Sequence, residues 1–182
     1  NIPVHILNTN NTESKGTKIV AGRDKSKNPI VGVSGESDFS CLYVSKYLMN
    51  REVGFGRKLL EIIENENIPY QHAPSGIDNI SVIVRNSAIT PEKEKRIYER
   101  VRDELKVDNV FFDHELALVM LVGEGMQETI GTSAKAMQSM EKAKVNIELL
   151  NQSISEASIM IGVKQKDLNK AIKSLYQTFF EN

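Results

Sequence analysis

Apolar positions along the chain recur at two spacings, and the alternation between them predicts the order of elements. Residues 39–48 are apolar with high β propensity and predict a strand. Val53-Gly54-Phe55-Gly56 opens a stretch in which Phe55, Leu59, Ile62 and Ile63 step by four, three and one, the stripe of an amphipathic helix. That helix stops near Asn67, because Pro69 cannot continue it and restricts Ile68 before it. A short strand is expected over 68–72, a turn over 73–79, and a strand over 80–84, where Ile, Ser, Val, Ile and Val follow one another. Thr90-Pro91-Glu92-Lys93-Glu94 predicts a helix start, with Thr as cap, Pro in the first turn and acids at the positive end. Ile97, Val101 and Leu105 line that helix, and 110–113 closes the unit as a strand. The order is β-α-β-β-α-β.

The same order then repeats. A strand is predicted over 116–122 and a break at 123–125. A helix follows over 126–144 with Ile130, Ala134, Met137 and Met140 on one face. Strands are expected at 145–151 and 157–163, with a turn between them over 151–156. A last helix spans 166–180, striped by Leu168, Ile172, Leu175 and Phe179. Matching Asn67-Ile68 with Asn146-Ile147, and residues 81–84 with 158–161, makes the turn between the middle strands about two residues longer in the first copy. The second copy lacks its closing strand, and an open sheet edge is a liability. Residues 2–7, apolar on alternate positions, are expected to supply it. The predicted fold is α+β: two ferredoxin-like βαββαβ units, the first inserted into the second. Residues 1–38 would form strand and linker, 39–113 the first unit and 114–182 the second.

Composition narrows the functional classes. With 23 Lys+Arg against 24 Asp+Glu, the formal charge of −1 gives no electrostatic reason to favour nucleic acid or an anionic membrane. A single cysteine excludes an internal disulfide framework and any Cys-rich zinc site. The longest apolar run, 116–122, is too short to span a bilayer. No signal-peptide pattern opens the chain, which reads as a piece of a longer cytoplasmic protein. His5, His72 and His114 lie at no metal-ligand spacing, Cys41 sits inside an apolar strand, and Asp113-His114-Glu115 reads as a solvated corner.

Gly54-Phe55-Gly56 is more informative. It lies between a strand and a helix start, where free N–H groups and the helix dipole suit a carboxylate and glycine admits close approach. The alternative is a tight turn without a ligand. The unit's topology brings Tyr70, Gln71 and the 75–79 turn to the same edge, where Asp78 could pair with an ammonium and Gln71, Ser75 and Asn79 offer neutral hydrogen bonds. A small zwitterion fits this pattern.

Several phrases carry a family resemblance. Residues 1–17, Asn-Ile-Pro-Val-His-Ile-Leu-Asn-Thr-Asn-Asn-Thr-Glu-Ser-Lys-Gly-Thr, resemble the segment that leaves the kinase domain of bacterial aspartokinases, with Thr12 where Pro is usual. Val53-Gly-Phe55, 74–82, Val122-Gly-Glu-Gly-Met126 and 146–156 resemble the tandem ACT domains of that family. The resemblance implies a C-terminal regulatory module that binds an end-product amino acid and inhibits an ATP-dependent aspartate kinase. The effector would be lysine, with threonine as the alternative. Effector contacts would fall on Met49, Glu52, Gly54, Phe55, Gly56, Tyr70, Gln71, Ser75, Ile77, Asp78 and Asn79. Some lysine-sensitive relatives carry Asp where Gln71 stands. The Lys-Phe-Gly-Gly motif of the kinase domain is absent, so this stretch would catalyse nothing itself. It would need no cofactor of its own, with ATP and Mg confined to the kinase domain, and would pair as a homodimer. Competing readings are a purely structural dimerisation module, or an enzyme or nucleic-acid binder on the same topology. Scattered histidines and balanced charge argue against the last two.

Overall fold

The computed structural model describes residues 4–22, 28–152 and 157–181. A six-stranded antiparallel sheet is ordered β4-β5-β3-β6-β8-β7, built from β3 (Gly32–Ser45), β4 (Tyr70–His72), β5 (Asn79–Arg85), β6 (Asn109–Val122), β7 (Leu149–Gln152) and β8 (Ser158–Lys164). Four helices complete it: α1 (Phe55–Asn65), α2 (Pro91–Leu105), α3 (Thr132–Lys142) and α4 (Leu168–Phe180). The expected stripes of α1 and α2 are buried as predicted, against Leu42, Val44, Val82, Val84 and Val110. Thr90 caps α2 by accepting from the Lys93 N–H at 3.3 Å.

The closing strand of the second unit is not where the sequence pattern places it. Among the described residues, Val4–Ile6 (β1) pairs only with Thr17–Ile19 (β2), in a separate two-stranded sheet whose residues are all exposed; residues 2 and 3 of the expected strand lie outside the described residues. The strand that closes the second unit is instead the first half of β3, where Gly32 to Glu36 pair with Val122 to Leu118. The reason is packing. Ile30 is 1% exposed in the second core, and Gly35 lets Ile172 and Leu168 of α4 lie where a β-carbon would be, 2.6 and 2.8 Å from it.

Both long strands are therefore shared. β3 ends the second unit and begins the first; β6 ends the first and begins the second. The expected strands 110–113 and 116–122 are one strand, interrupted by register shifts opposite Glu36, Phe39 and Cys41. Asp113-His114-Glu115 is accordingly a bulge within a ladder rather than a corner. The two halves are related by an internal pseudo-two-fold centred on the Phe39–Leu116 pair. Two ion pairs cross from unit to unit about it: Glu36 takes both guanidinium N–H groups of Arg85 at 2.7 and 3.0 Å, and Asp113 takes Lys164 at 2.6 Å.

The repeat also has a different register from the expected one. Buried Phe55, Leu59, Ile62 and Ile63 of α1 match Thr132, Ala136, Ser139 and Met140 of α3, while β5 and β8 share one burial order. Opposite Ile83 stands His72, and opposite Gly162 stands Leu149, so the longer middle turn belongs to the second copy. The predicted helix 126–144 is broken: a short 3-10 turn spans Glu124–Gln127, and α3 begins only after Gly131, whose φ of 90° is left-handed. Ile130 and Ala134 consequently leave the expected stripe and are exposed. Of the expected 151–156 turn, 153–156 lie outside the described residues.

All four helices cover one face of the sheet. On the other face Phe39, Ile83, Leu116 and Leu118 form a third apolar cluster that runs across the seam between the units.

Candidate functional site

The first unit places a strand-to-helix loop against the middle turn. Ser45 ends β3 beside Asn79, and the loop that follows is tied to the turn by backbone: the Lys46 N–H donates to the Asp78 carbonyl at 2.9 Å, and the Asn50 N–H to the Ile77 carbonyl at 3.1 Å. The loop reverses through Leu48 at φ 58° and enters α1 through Gly54 at φ 79°. A left-handed residue at that entry favours glycine. Met49 and Phe55 are buried and anchor the loop to the core. They shape the site from beneath rather than lining it.

The start of α1 carries no side-chain cap and no acid in its first turn. Among the described residues, the Gly56 and Arg57 N–H groups have no protein acceptor, which leaves two aligned donors at the positive end of the dipole. A β-carbon on Gly56 would meet only Ile80, at 3.9 Å, and none would be met at Gly54, so the space above the helix start is open.

Charges in the loop are already divided. Glu52 accepts from Lys46 at 2.5 Å and from Lys58 at 3.0 Å, and these two hydrogen bonds hold its carboxyl below the usual glutamate range. Lys46 also donates to the Leu105 carbonyl at 2.6 Å and stands over the Phe55 ring. Glu52 is thus a clamp on the loop. Asp78 is the acid left over: its Oδ1 is buried and accepts no hydrogen bond from the protein among the described residues. A buried carboxylate oxygen without a donor is costly, and a bound ammonium would relieve it.

The remaining predicted residues disperse. Ile77 is exposed on the turn. Ser75 and Asn79 line a cavity on the helix-free face. Tyr70 pairs with Val84, five residues along β5 from the turn, or about 17 Å at the strand's rise. Gln71 lines a different cavity on the helix-free face, with Glu36, Phe39 and Leu118. Within one chain, Tyr70 and Gln71 therefore do not converge with Gly54 and Asp78. The sequence reading missed the Lys46–Glu52–Lys58 clamp; its one signal was the density of opposite charges around a glycine-bounded loop.

Two other constellations are structural. His114 joins Ser40 through Nδ1 at 2.7 Å and Glu94 through Nε2 at 3.2 Å, a serine–histidine–acid arrangement. Ser40 is fully buried and also bonds Asn86, so its hydroxyl cannot reach a substrate. Cys41 is a free thiol whose pKa burial pushes up, which disfavours the thiolate. No helix among the described residues is long and apolar enough to cross a membrane.

Comparison with known proteins bears on the fold and the family. A model of the ACT domain matches residues 119–179. Aspartokinase 3 of Bacillus subtilis is 45% identical over 179 residues, covering 98% of this chain and 39% of that protein. The crystal structure of Clostridium acetobutylicum aspartate kinase, described as an allosteric enzyme, superimposes with a TM-score of 0.87 at 34% identity, over 98% of this chain and 41% of the other. The regulatory subunit of aspartate kinase from Thermus flavus shares the fold, with a TM-score of 0.72 at 19% identity, over 83% of this chain and 99% of that subunit. The chain spans about two fifths of the length of the first two relatives.

Proposed function

The chain belongs to the ACT-bearing regulatory region of the aspartokinases, and from that premise we propose that its first unit senses an end-product amino acid and relays feedback inhibition to an aspartate kinase. The effector is lysine, with threonine the alternative. The observation that carries the reading is the pairing of two open N–H donors at the start of α1 with the unpartnered Oδ1 of Asp78, across a loop whose other acid is already neutralised. The α-carboxylate sits on the Gly56 and Arg57 N–H groups and the ammonium on Asp78. Gly54 and Gly56 keep the approach clear, while Met49, Glu52 and Phe55 hold the loop in shape.

Tyr70 and Gln71 contribute only through a second chain or a loop rearrangement, since one chain keeps them apart from Gly54 and Asp78, while Ser75 and Asn79 stand on the same turn as Asp78. A homodimer paired through β4, which ends the sheet on the first unit's side, is the proposed route, since it brings the two copies of Tyr70 and Gln71 to the seam between chains. ATP, Mg and phosphoryl transfer belong to a kinase domain outside these residues, in the cytoplasm, and this region uses no cofactor of its own.

The test is calorimetric titration of the chain with lysine and with threonine. A binding module is stabilised by RT ln(1 + [L]/Kd), about 2.7 kcal/mol at a hundredfold excess over Kd. A structural dimerisation module gains nothing from either amino acid.

A further inference from the structure

A second kind of cavity lies on the opposite face of the sheet from the helices, with Ser75 and Asn79 of the middle turn in its wall. Over the first unit's helix-free face lies a cavity of about 370 Å³, floored by Tyr43, Ile83, Phe111 and Leu116 and overhung by Glu148 and Leu149 from the second unit. That volume lies in the range of small-molecule sites. Tyr43 and Phe111 stack at 5.0 Å between centroids and form an aromatic platform. Asp113, at one side, is already neutralised by Lys164 at 2.6 Å. Glu148, at the mouth, accepts only the Asn146 amide at 2.9 Å among the described residues. Among the described residues no Lys, Arg or His side chain lines the space. Lys164 is shared by the two acids, Asp113 and Glu148, so the space keeps a negative balance that a cation would complement and a carboxylate would oppose.

The internal duplication supplies a comparison within the same molecule. A cavity of about 400 Å³ lies over the second unit's helix-free face, related by the pseudo-two-fold. There Gln71 stands where Glu148 does, Met120 where Tyr43 does and Ser34 where Phe111 does. Glu36 matches Asp113 and is likewise bound, by Arg85. The first cavity therefore carries two features that its mate lacks: an aromatic platform, and the carboxylate of Glu148 in place of the Gln71 amide.

We propose that the first cavity binds a small aromatic cation, an arylalkylamine without a carboxylate, with its ring against Tyr43 and Phe111 and its ammonium at Glu148. Aromatic faces attract both rings and cations, and the overhanging acid fixes the orientation. The site is separate from the amino-acid effector reading: it is bounded by Ser75 and Asn79 of the same turn but does not use Gly54, Gly56 or Asp78.

Three probes with the same ring separate the contributions: tyramine, the neutral alcohol tyrosol, and 4-hydroxyphenylacetate. Each is titrated into the 182-residue chain by calorimetry, with saturation-transfer spectroscopy reporting ring contact. Tyramine should bind at least fivefold more tightly than tyrosol, and the acid should give no measurable heat. Glu148→Gln, a surface change that copies the mate cavity, should reduce tyramine to the level of tyrosol. Phe111→Ala, at a position 46% exposed and so tolerant of truncation, should weaken tyramine and tyrosol together. The lysine response should survive both variants. The proposal is overturned if tyramine and tyrosol bind alike, if Glu148→Gln leaves tyramine unchanged, or if none of the three probes binds. Loss of the lysine response together with tyramine binding would overturn the independence of the two sites.

Discussion

Replacing Ile30 by Ala should unbalance the second unit, although Ile30 lies far from it in sequence. Its side chain is 1% exposed and belongs to the core cluster that also holds Val119, Leu121, Met126 and Phe179, just before the strand that closes that unit. The substitution removes three buried carbons, worth about 0.8 kcal/mol each by transfer alone. The cavity left behind brings the loss to about 3 kcal/mol, within the span measured for buried Ile→Ala changes. At a urea slope of about 2 kcal/mol/M, the midpoint should fall by about 1.5 M. The matched control is Ile6→Ala. Ile6 is 57% exposed in the separate β1–β2 sheet, so its loss should cost under about 0.5 kcal/mol. Urea unfolding followed by circular dichroism compares the two. Equal effects, or a larger effect at Ile6, would refute the assignment of the closing strand to β3 and restore it to the N-terminal segment.

Other expectations follow from the same geometry. Gly123→Ala should destabilise by about 3 kcal/mol in thermal melts, since its β-carbon would fall 1.9 Å from the Pro29 carbonyl oxygen, where only backbone can yield. Gly56→Ala should leave the free protein as stable or up to about 1 kcal/mol more so, because the site is open and alanine is the better helix residue, while lysine affinity falls; unchanged affinity would move the carboxylate elsewhere. Asp113 titrates below the ordinary aspartate range because Lys164 hydrogen-bonds its charged form. A depressed folded pKa gives stability that is present above the unfolded value of about 3.9 and lost as pH falls through the folded one. The urea midpoints of parent and Asp113→Asn should therefore differ at pH 6 and converge below about pH 4; a constant gap would show that the ion pair does not couple to titration.

The elements legible from sequence were those with a strong period and a complete core face. α1 and α2 fall in this class, because Phe55, Leu59, Ile62, Ile63, Ile97, Val101 and Leu105 all reach one cluster. The closing strand was hidden for the opposite reason. Gly32-Val-Ser-Gly-Glu reads as polar linker, yet Gly35 is needed there because α4 lies directly on it. Residues 4–7 alternate more convincingly but bury nothing. In α3 the stripe slipped because Gly131, not Met126, begins the helix, and a left-handed entry is set by loop closure rather than by periodicity. At the candidate site, Asp78 was legible as the one acid in its turn. The clamp on Glu52 and the separation of Tyr70 and Gln71 from Gly54 depend on ladder register, which composition does not encode.

The central claim is that the Gly54–Gly56 helix start and Asp78 together hold an amino-acid effector. It is tested most directly by calorimetry of lysine and threonine against the parent chain and Asp78→Ala. Removing a buried acceptor that has no donor should leave the free fold intact. Loss of a charge-assisted hydrogen bond of about 1.5–3 kcal/mol should weaken binding by roughly ten- to a hundredfold. Lysine bound equally tightly by both proteins would contradict the ammonium contact. No heat from either amino acid with the parent would contradict sensing by this chain and leave it a structural module.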